Sequence, residues 1–283
     1  MGRYGYGRSE KIVLLPAKKE NLSKILSSLG RVVIAYSGGL DSAFLLKAGL
    51  DTLGKRNVLA VTAYSETYPS SEHKQAKRLA AALMARHVTI KTTELKNSKF
   101  KSNPVNRCYY CKKELFSRLK SIQKKFNFNF VIDATNYDDL KDIRHGMKAA
   151  KELGVRSPLL EAKFTKADIR KFSKAAGLPT WNKPSQACLA SRVPFNNRIT
   201  EAALRRIGQA EDFMRKLGFS QVRVRLHDNI ARIEVPKSDL GLGLKLKDRI
   251  AKQLKKFGFI YVTLDLEGYR TGSMHESVAL TKK

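Results

Sequence analysis

The sequence predicts an α/β protein, with a mostly parallel sheet covered by helices on both faces and a smaller α+β domain after it. Through residues 1–177, short apolar strands alternate with amphipathic helices, a pattern typical of parallel strands joined by crossover helices. Beyond Gly177 the alternation stops at a segment that contains several prolines. The helices and strands after that segment follow in an order that favours an antiparallel component.

The elements of the first part follow from apolar runs and from the residues that end them. Gly54, Gly154 and Gly177 each follow a helical stretch and are typical of helix C-termini. Thr165 and Asp168 have the spacing of a capping box, which starts the last helix. We therefore expect strands at 31–36, 57–64, 87–93 and 128–134, and helices at 41–53, 70–85, 112–126, 139–153 and 165–176.

The second part starts after residues 178–199, where Pro179, Pro184 and Pro194 interrupt any regular period. The elements expected beyond it are a helix at 201–217, strands at 221–226 and 230–235, a helix at 244–257 and a strand at 259–266. The chain is thus expected to contain a domain at 1–177, an ordered linker at 178–199 that carries Cys188, and a small domain at 200–283.

Composition excludes some classes of protein. The 283 residues are 42% hydrophobic and 28% charged, as in globular proteins. No apolar run approaches the ~18 residues that span a bilayer, and residues 12–15 are too few for the apolar core of a signal peptide, so we expect a cytoplasmic protein. The net charge of +30 favours anionic partners such as nucleotides or RNA. A basic surface suited to a hot or saline cytoplasm would have the same composition.

The first chemical motif is the run Ser37-Gly38-Gly39-Leu40-Asp41-Ser42, between a predicted strand and a predicted helix. Its glycines allow close backbone approach, so that amide groups and the helix N-terminus can converge on phosphate oxygens. Ser37 and Ser42 add hydroxyl donors, and Asp41 can orient the turn or help to hold Mg²⁺. The motif is neither a Walker sequence nor a dinucleotide fingerprint. It resembles the PP-loop of ATP pyrophosphatases, which cleave ATP between its α- and β-phosphates and adenylylate a substrate oxygen.

The three cysteines form the second group. Cys108 and Cys111 are three residues apart at a predicted helix start, where the helix end and adjacent lysines favour thiolates. With Cys188 they make three ligands, fewer than the four of a structural zinc site. Three thiolates suit an iron–sulfur cluster with one open iron, or a nucleophile with two helpers. Unrelated buried cysteines are the alternative.

The third group surrounds Cys188. Ser191 and Arg192 follow it closely and offer donors to an anionic substrate. Further along the chain, Arg223 and Arg225 alternate on one strand, so they point to the same face and can form a fork for phosphate or carboxylate. The alternative for this pair is a solvated edge of the small domain.

Several segments together resemble the LarE family over residues 10–275. They are the PP-loop motif and the runs 107–116, 133–139, 153–159, 188–192 and 264–270. The resemblance implies an ATP-dependent enzyme of nickel-pincer nucleotide biosynthesis. Such an enzyme adenylylates the carboxylates of pyridinium-3,5-biscarboxylic acid mononucleotide and converts them to thiocarboxylates. In one branch a cysteine at the place of Cys188 gives up its sulfur and becomes dehydroalanine. In another branch three cysteines bind a [4Fe-4S] cluster with a labile sulfide, and Cys108 and Cys111 favour this branch.

The resemblance also implies roles for individual residues. The domain at 1–177 is then the ATP pyrophosphatase, and that at 200–283 serves substrate binding and sulfur transfer, with ATP, Mg²⁺ and the cluster as cofactors. Residues implied for the ATP pyrophosphate are Ser37, Gly38, Gly39, Asp41 and Ser42. Cluster ligands are Cys108, Cys111 and Cys188, of which Cys188 is catalytic. Residues implied for the substrate are Ser191, Arg192, Arg223 and Arg225, and those for a divalent metal or an interface are Glu211 and Glu234. The family further implies a homo-oligomer, a hexamer, and a supply of sulfide or another sulfur donor.

Three alternatives stay open at this point. The first is sacrificial transfer of the Cys188 sulfur. The second is cluster-dependent thiolation of tRNA, which the charge of +30 suits, although the chain has neither zinc-ribbon cysteine pairs nor a separate RNA-binding module. The third is a nucleotide- or RNA-binding module without catalysis.

Overall fold

The computed structural model describes residues 9–141, 145–184, 187–270 and 272–275. The chain forms two compact units. The first comprises the described parts of Met1–Tyr64, Ser70–Thr92 and Cys108–Ser185, and the second those of Ser65–Pro69, Thr93–Arg107 and Gln186–Lys283. The predicted boundaries placed 65–69 and 93–107 in the first domain, whereas both segments belong to the second unit.

The sheet of the first unit is wholly parallel, as predicted. Its strands are β1 (Val32–Ala35), β2 (Val58–Tyr64), β3 (Arg86–Lys91) and β4 (Phe130–Ile132), in the order β3-β2-β1-β4. Val32 of β1 pairs with Val58 on one side and with Phe130 on the other. The strand that precedes the PP-loop motif is therefore central, with a parallel neighbour on each side.

Helices cover both faces of this sheet. They are α1 (Ser9–Leu29), α2 (Leu40–Leu53), α3 (Ser70–Ala82), α5 (Arg107–Lys125), α6 (His145–Glu152), α7 (Pro158–Glu161) and α8 (Lys166–Ala175). Val32 and Ile34 of β1 pack into one core with Leu45 of α2. Val33, between them, packs into a second core with Phe116 of α5. Both faces of β1 are thus buried, which is typical of parallel sheets.

Three of the longer elements in the first unit differ from the sequence prediction. Helix α1 was not predicted, although Leu22, Leu26 and Leu29 have helical spacing and are buried. Helix α5 begins at Arg107 rather than at 112, so the cysteine pair lies inside the helix. The helix predicted at 139–153 is a 3₁₀ turn at Tyr137–Lys141 followed by α6, and residues 142–144 lie outside the described part.

The second unit contains the antiparallel pair that the sequence predicted. Its elements are α4 (Ser98–Lys101), α9 (Glu201–Lys216), β5 (Arg223–His227), β6 (Ile230–Glu234), α10 (Leu240–Lys245), α11 (Lys247–Lys256) and β7 (Tyr261–Leu264). Strands β5 and β6 are antiparallel, and β7 is parallel to β6. In the described residues, no helix is long and apolar enough to cross a membrane.

Candidate active site

The PP-loop motif lies where β1 ends and α2 begins. Gly38 has φ of 72°, in the left-handed region. A Cβ at Gly38 would lie 2.6 Å from the Cβ of Ala76 in α3. Only glycine fits both the backbone angle and this close approach. Helix α3 therefore sets the path of the loop, a contact that the sequence alone does not show.

Two hydroxyl groups hold the loop from inside. The Oγ atoms of Ser37 and Ser42 are 3.0 Å apart, and Ser42 Oγ accepts from the amide of Ser37 at 3.2 Å. Gly39 is the N-cap residue of α2 and has no side chain with which to cap the helix. The N-terminus of α2 is thus the kind of site that binds phosphate oxygens, by amide donors and by the helix dipole.

A lysine that the sequence analysis did not identify contacts this motif. The Nζ atom of Lys166 forms an ion pair with Asp41 Oδ2. Lys166 is the first residue of α8, and its amide donates to Asp138 Oδ2 at 2.8 Å. The capping box of Thr165 and Asp168 is present as predicted. That box was the signal for this helix start, but only the fold brings Lys166 to Asp41, because the two residues are 125 positions apart.

A polar cluster follows β4, the parallel neighbour of β1. Asp133 Oδ1 accepts from Ser157 Oγ at 2.7 Å, and its Oδ2 accepts from Thr135 Oγ1 at 2.8 Å. Asn136 is fully buried, and its Nδ2 atom has no hydrogen-bond partner among the described residues. Because the carboxyl ends of parallel strands meet at one edge of a sheet, this cluster and the PP-loop share that edge, where nucleotides bind in such folds.

The cysteine pair lies on the first turns of α5. Cys108 is exposed and Cys111 is half-buried, and both are thiols. At i and i+3 they share one helix face. Lys112 Nζ lies 5.2 Å from the ring centre of Phe116. Lys113 Nζ donates to Tyr109 Oη at 3.1 Å. These two ammonium groups therefore make contacts with rings and a phenol.

Cys188 is a half-buried thiol in the second unit, just before a 3₁₀ turn at Leu189–Arg192. Its carbonyl accepts from the amide of Ser191 at 3.0 Å and from Ser191 Oγ at 2.8 Å. The amide of Leu189 donates to the carbonyl of Thr67 at 2.9 Å. The peptide on the carboxyl side of Cys188 is thus fixed by hydrogen bonds at both of its polar atoms.

Arg192 is fully buried and forms an ion pair with Glu211. Its Nε atom is 2.7 Å from Glu211 Oε1, and its Nη2 atom is 3.0 Å from Oε2. Burial raises the pKa of Glu211, but the charges and hydrogen bonds of Arg192 and its neighbours outweigh burial and hold that pKa below its ordinary value. The sequence prediction that Arg192 contacts substrate finds no support, because the guanidinium has no exposed surface.

Arg223 and Arg225 share a face of β5 as predicted, but they are 3% and 6% exposed. The solvated-edge alternative is therefore wrong. Arg225 Nη2 pairs with Glu234 Oε2 at 2.8 Å, and its Nη1 donates to the carbonyl of Ser191 at 3.0 Å. The Arg223 guanidinium lies over the ring of Tyr269, and burial, reinforced by Arg192, lowers its pKa to about 10.

The two glutamates implied as metal ligands are fully buried and bound by arginines. Arg192 and Arg215 occupy Glu211, and Arg225 and Arg232 occupy Glu234. Each of these carboxylates thus already has two positively charged partners. Guanidinium groups, rather than a divalent cation, neutralise them in this structure. In the described ranges, no group of three or more His, Cys, Asp or Glu side chains is arranged to hold a metal ion.

The chain resembles known proteins over most of its length. The family model described as NAD synthase matches residues 18–128, which include the PP-loop. An uncharacterised protein of Synechocystis is 43% identical over 95% of this chain and 100% of its own. The pyridinium-3,5-bisthiocarboxylic acid mononucleotide synthase of Lactiplantibacillus plantarum is 40% identical over 93% of this chain and 96% of its own. An uncharacterised protein of Methanocaldococcus jannaschii is 33% identical over 85% and 91%.

Proposed function

The chain belongs to the LarE family, and we propose that it converts the carboxylates of pyridinium-3,5-biscarboxylic acid mononucleotide to thiocarboxylates. It is an ATP-dependent sulfurtransferase. The observation that carries the proposed substrate is the 40% identity, over 93% of this chain, to a synthase whose name states the corresponding bisthiocarboxylic acid as its product. The division into an ATP pyrophosphatase domain at 1–177, a linker at 178–199 that carries Cys188 and a sulfur-transfer and substrate domain at 200–283 stays a prediction.

The first step is adenylylation at the PP-loop. A substrate carboxylate oxygen attacks the α-phosphorus of ATP, the bond to the oxygen that bridges to the β-phosphate breaks, and pyrophosphate leaves with that electron pair. Ser37, Ser42 and the amides of Gly38 and Gly39 would bind the pyrophosphate, and the glycine N-cap of α2 supports this because it adds no side chain there. Asp41 would help to hold Mg²⁺, and its ion pair with Lys166 would then open.

The anionic substrate would be held near the arginines of the second unit. Three buried guanidinium groups, on Arg192, Arg223 and Arg225, share two buried carboxylates, on Glu211 and Glu234. Guanidinium groups bind phosphate and carboxylate through charge-assisted hydrogen bonds, so this cluster of cations favours an arriving anion. Arg223 supports this most directly, because burial lowers its pKa to about 10 and an anion beside the guanidinium would stabilise its charged form. Ser191 and Arg225 would complete the site, whereas Arg192 would act through its charge.

In the second step, a sulfur nucleophile attacks the acyl carbon, and AMP leaves with the electron pair of the carbon–oxygen bond. The donor set fits a [4Fe-4S] cluster, because Cys108, Cys111 and Cys188 are all thiols and three thiolates leave one iron without a protein ligand. When bound, the cluster would supply a labile sulfide. Cys188 would be the catalytic member of the three. Assembly into a homo-oligomer stays a prediction.

Pyrophosphate release tests the proposal. We expect AMP and pyrophosphate to form when the protein receives ATP, Mg²⁺ and the mononucleotide, and not when it receives ATP and Mg²⁺ alone. Release driven by tRNA but not by the mononucleotide would identify a tRNA thiolase. Formation of ADP and phosphate would contradict cleavage between the α- and β-phosphates. No turnover with either acceptor would leave a binding module.

A further inference from the structure

The peptide after Cys188 is held by two separate arms, each of which ends in a buried carboxylate. The first arm runs from Glu211 through Arg192. Arg192 Nη1 donates to the carbonyls of Ala187 and Cys188 at 2.8 and 3.1 Å and to Ser191 Oγ at 2.9 Å. Arg192 therefore forms hydrogen bonds with the backbone on both sides of Cys188, and its guanidinium holds this part of the loop in place.

Glu211 fixes the direction of that guanidinium. The two oxygens of Glu211 receive the Nε and Nη2 atoms of Arg192, the bidentate geometry that orients an arginine most firmly. Glu211 is itself anchored, since its Oε1 accepts from the amide of Val224 in β5 at 3.1 Å. The first arm thus fixes the backbone at Cys188 relative to strand β5.

The second arm runs from Glu94 through Thr67. Glu94 is 5% exposed, and its Oε1 accepts from Thr67 Oγ1 at 2.9 Å and from Ser65 Oγ at 2.8 Å. The carbonyl of Thr67 accepts from the amide of Leu189. These residues belong to the segments 65–69 and 93–107 that the second unit draws from the first half of the chain.

We propose that Glu211 and Glu94 are positioning residues for Cys188: through Arg192 and Thr67 they fix the peptide that follows the cysteine, and so aim its sulfur. The inference rests on the proposed function, in which Cys188 presents the sulfur. It assigns Arg192 to the loop rather than to contact with substrate. A reacting atom held in one geometry needs no reorganisation at the moment of attack, and a misplacement of about 1 Å can cost roughly 100-fold in rate.

The test uses the double variant Arg192→Met/Glu211→Leu. Removing both members of the buried ion pair leaves neither charge buried alone, and Arg215 keeps its ion pair with Asp212, so the protein is expected to stay folded. Thermal unfolding checks this. The matched control is Arg215→Met, because Arg215 also pairs with Glu211. In the described part of the chain its ion pairs are with Glu211 and Asp212, and neither lies in the segment 187–193 around Cys188, the cysteine loop. Glu94→Gln tests the second arm in the same assays.

We expect the double variant, at saturating mononucleotide, to transfer at least ~10-fold less sulfur per pyrophosphate released than the wild-type protein. We also expect faster hydrogen exchange in residues 187–193, with both properties unchanged in Arg215→Met. A folded double variant with wild-type sulfur transfer would overturn the proposal. A KM raised ~10-fold with unchanged transfer would return Arg192 to substrate binding. If the wild-type protein releases no pyrophosphate, the proposed function fails. Hydrogen exchange in residues 187–193 of the double variant and the wild-type protein still tests whether the two arms hold the loop.

Discussion

The PP-loop and the cysteine loop both place a short turn ahead of a helix, but different groups hold them. In the PP-loop the turn depends on Gly38 and on two neutral hydroxyl groups, which accept from the amides of Ser37 and Gly39. In the cysteine loop, a buried guanidinium and a hydroxyl bind the carbonyl of Cys188, and the carbonyl of Thr67 accepts from the amide of Leu189. Neutral groups thus hold the first loop, whereas a buried charge holds the second.

The difference also separates what the two units contribute to chemistry. The amide dipoles at the N-terminus of α2 carry partial positive charge, so the PP-loop would contribute to the reaction by binding an anion. Around Cys188 the charges are already paired, as in Arg192 with Glu211 and Arg225 with Glu234. These pairs fix the geometry of the backbone and side chains around Cys188.

The largest expected effect comes from Asp41. Asp41→Ala removes the carboxylate beside the loop, and we expect pyrophosphate release to fall by at least ~100-fold, since electrostatic groups at a reacting phosphate contribute that much. The fold is expected to survive because the partner, Lys166, is partly exposed. Asp51→Ala is the matched control, because Asp51 pairs with Lys47 on the same helix. Equal losses in both variants would place Asp41 outside the ATP site.

Gly38 tests whether close packing against α3 determines the path of the PP-loop. Gly38→Ala adds a Cβ at 2.6 Å from that of Ala76, on top of the strain of positive φ. We expect the free energy of unfolding to drop by more than about 2 kcal/mol, measured by denaturant titration. Gly177→Ala serves as control, because Gly177 has φ of 66° and open space around its Cβ position. That variant isolates the backbone strain of about 1–2 kcal/mol, and a loss as large as that of Gly38→Ala would contradict the steric account.

Arg223 and Arg225 test whether the buried positive charges of the second unit bind the substrate. Replacing either by alanine is expected to raise the substrate KM by ~10–100-fold, the loss of a charge-assisted hydrogen bond of about 1.5–3 kcal/mol. Arg205→Ala is the control, because Arg205 pairs with Glu201 on the exposed face of α9. Steady-state kinetics at saturating ATP gives the KM. Unchanged values in both arginine variants would leave these residues with a structural role alone.

The smallest expected effect concerns His87 in the first unit. Burial, helped by nearby His73 and Lys77, lowers the pKa of His87 below its ordinary 6.5. The unfolded chain then binds more protons, so this contribution to stability is present above pH 6.5 and is lost as the pH falls below it. We expect thermal stability between pH 7.5 and 5.5 to depend less on pH in His87→Gln. An unchanged pH dependence would show that other groups govern it.

The two loops also differ in how far the sequence predicts them. Backbone requirements appear directly in sequence, so the glycines and serines of the PP-loop indicated its place between β1 and α2. The parallel sheet followed from apolar runs for the same local reason. Side-chain support from distant segments leaves no such pattern. Lys166 lies 125 positions from Asp41, and Glu94 reaches the cysteine loop through Thr67. Alternation on β5 placed Arg223 and Arg225 on one face, but their burial depends on Glu234 and Tyr269.

The source of the transferred sulfur is measured most directly by the mass of the polypeptide before and after turnover, with iron content followed in parallel. If Cys108, Cys111 and Cys188 hold a cluster, the anaerobically purified protein contains iron, turns over repeatedly with sulfide and keeps its mass. Cys108→Ala then loses both iron and activity. Sacrificial transfer would instead stop after one sulfur, with a loss of about 34 Da as the Cys188 thiol is converted to dehydroalanine. An iron-free Cys108→Ala protein that still transfers one sulfur per chain would contradict the cluster.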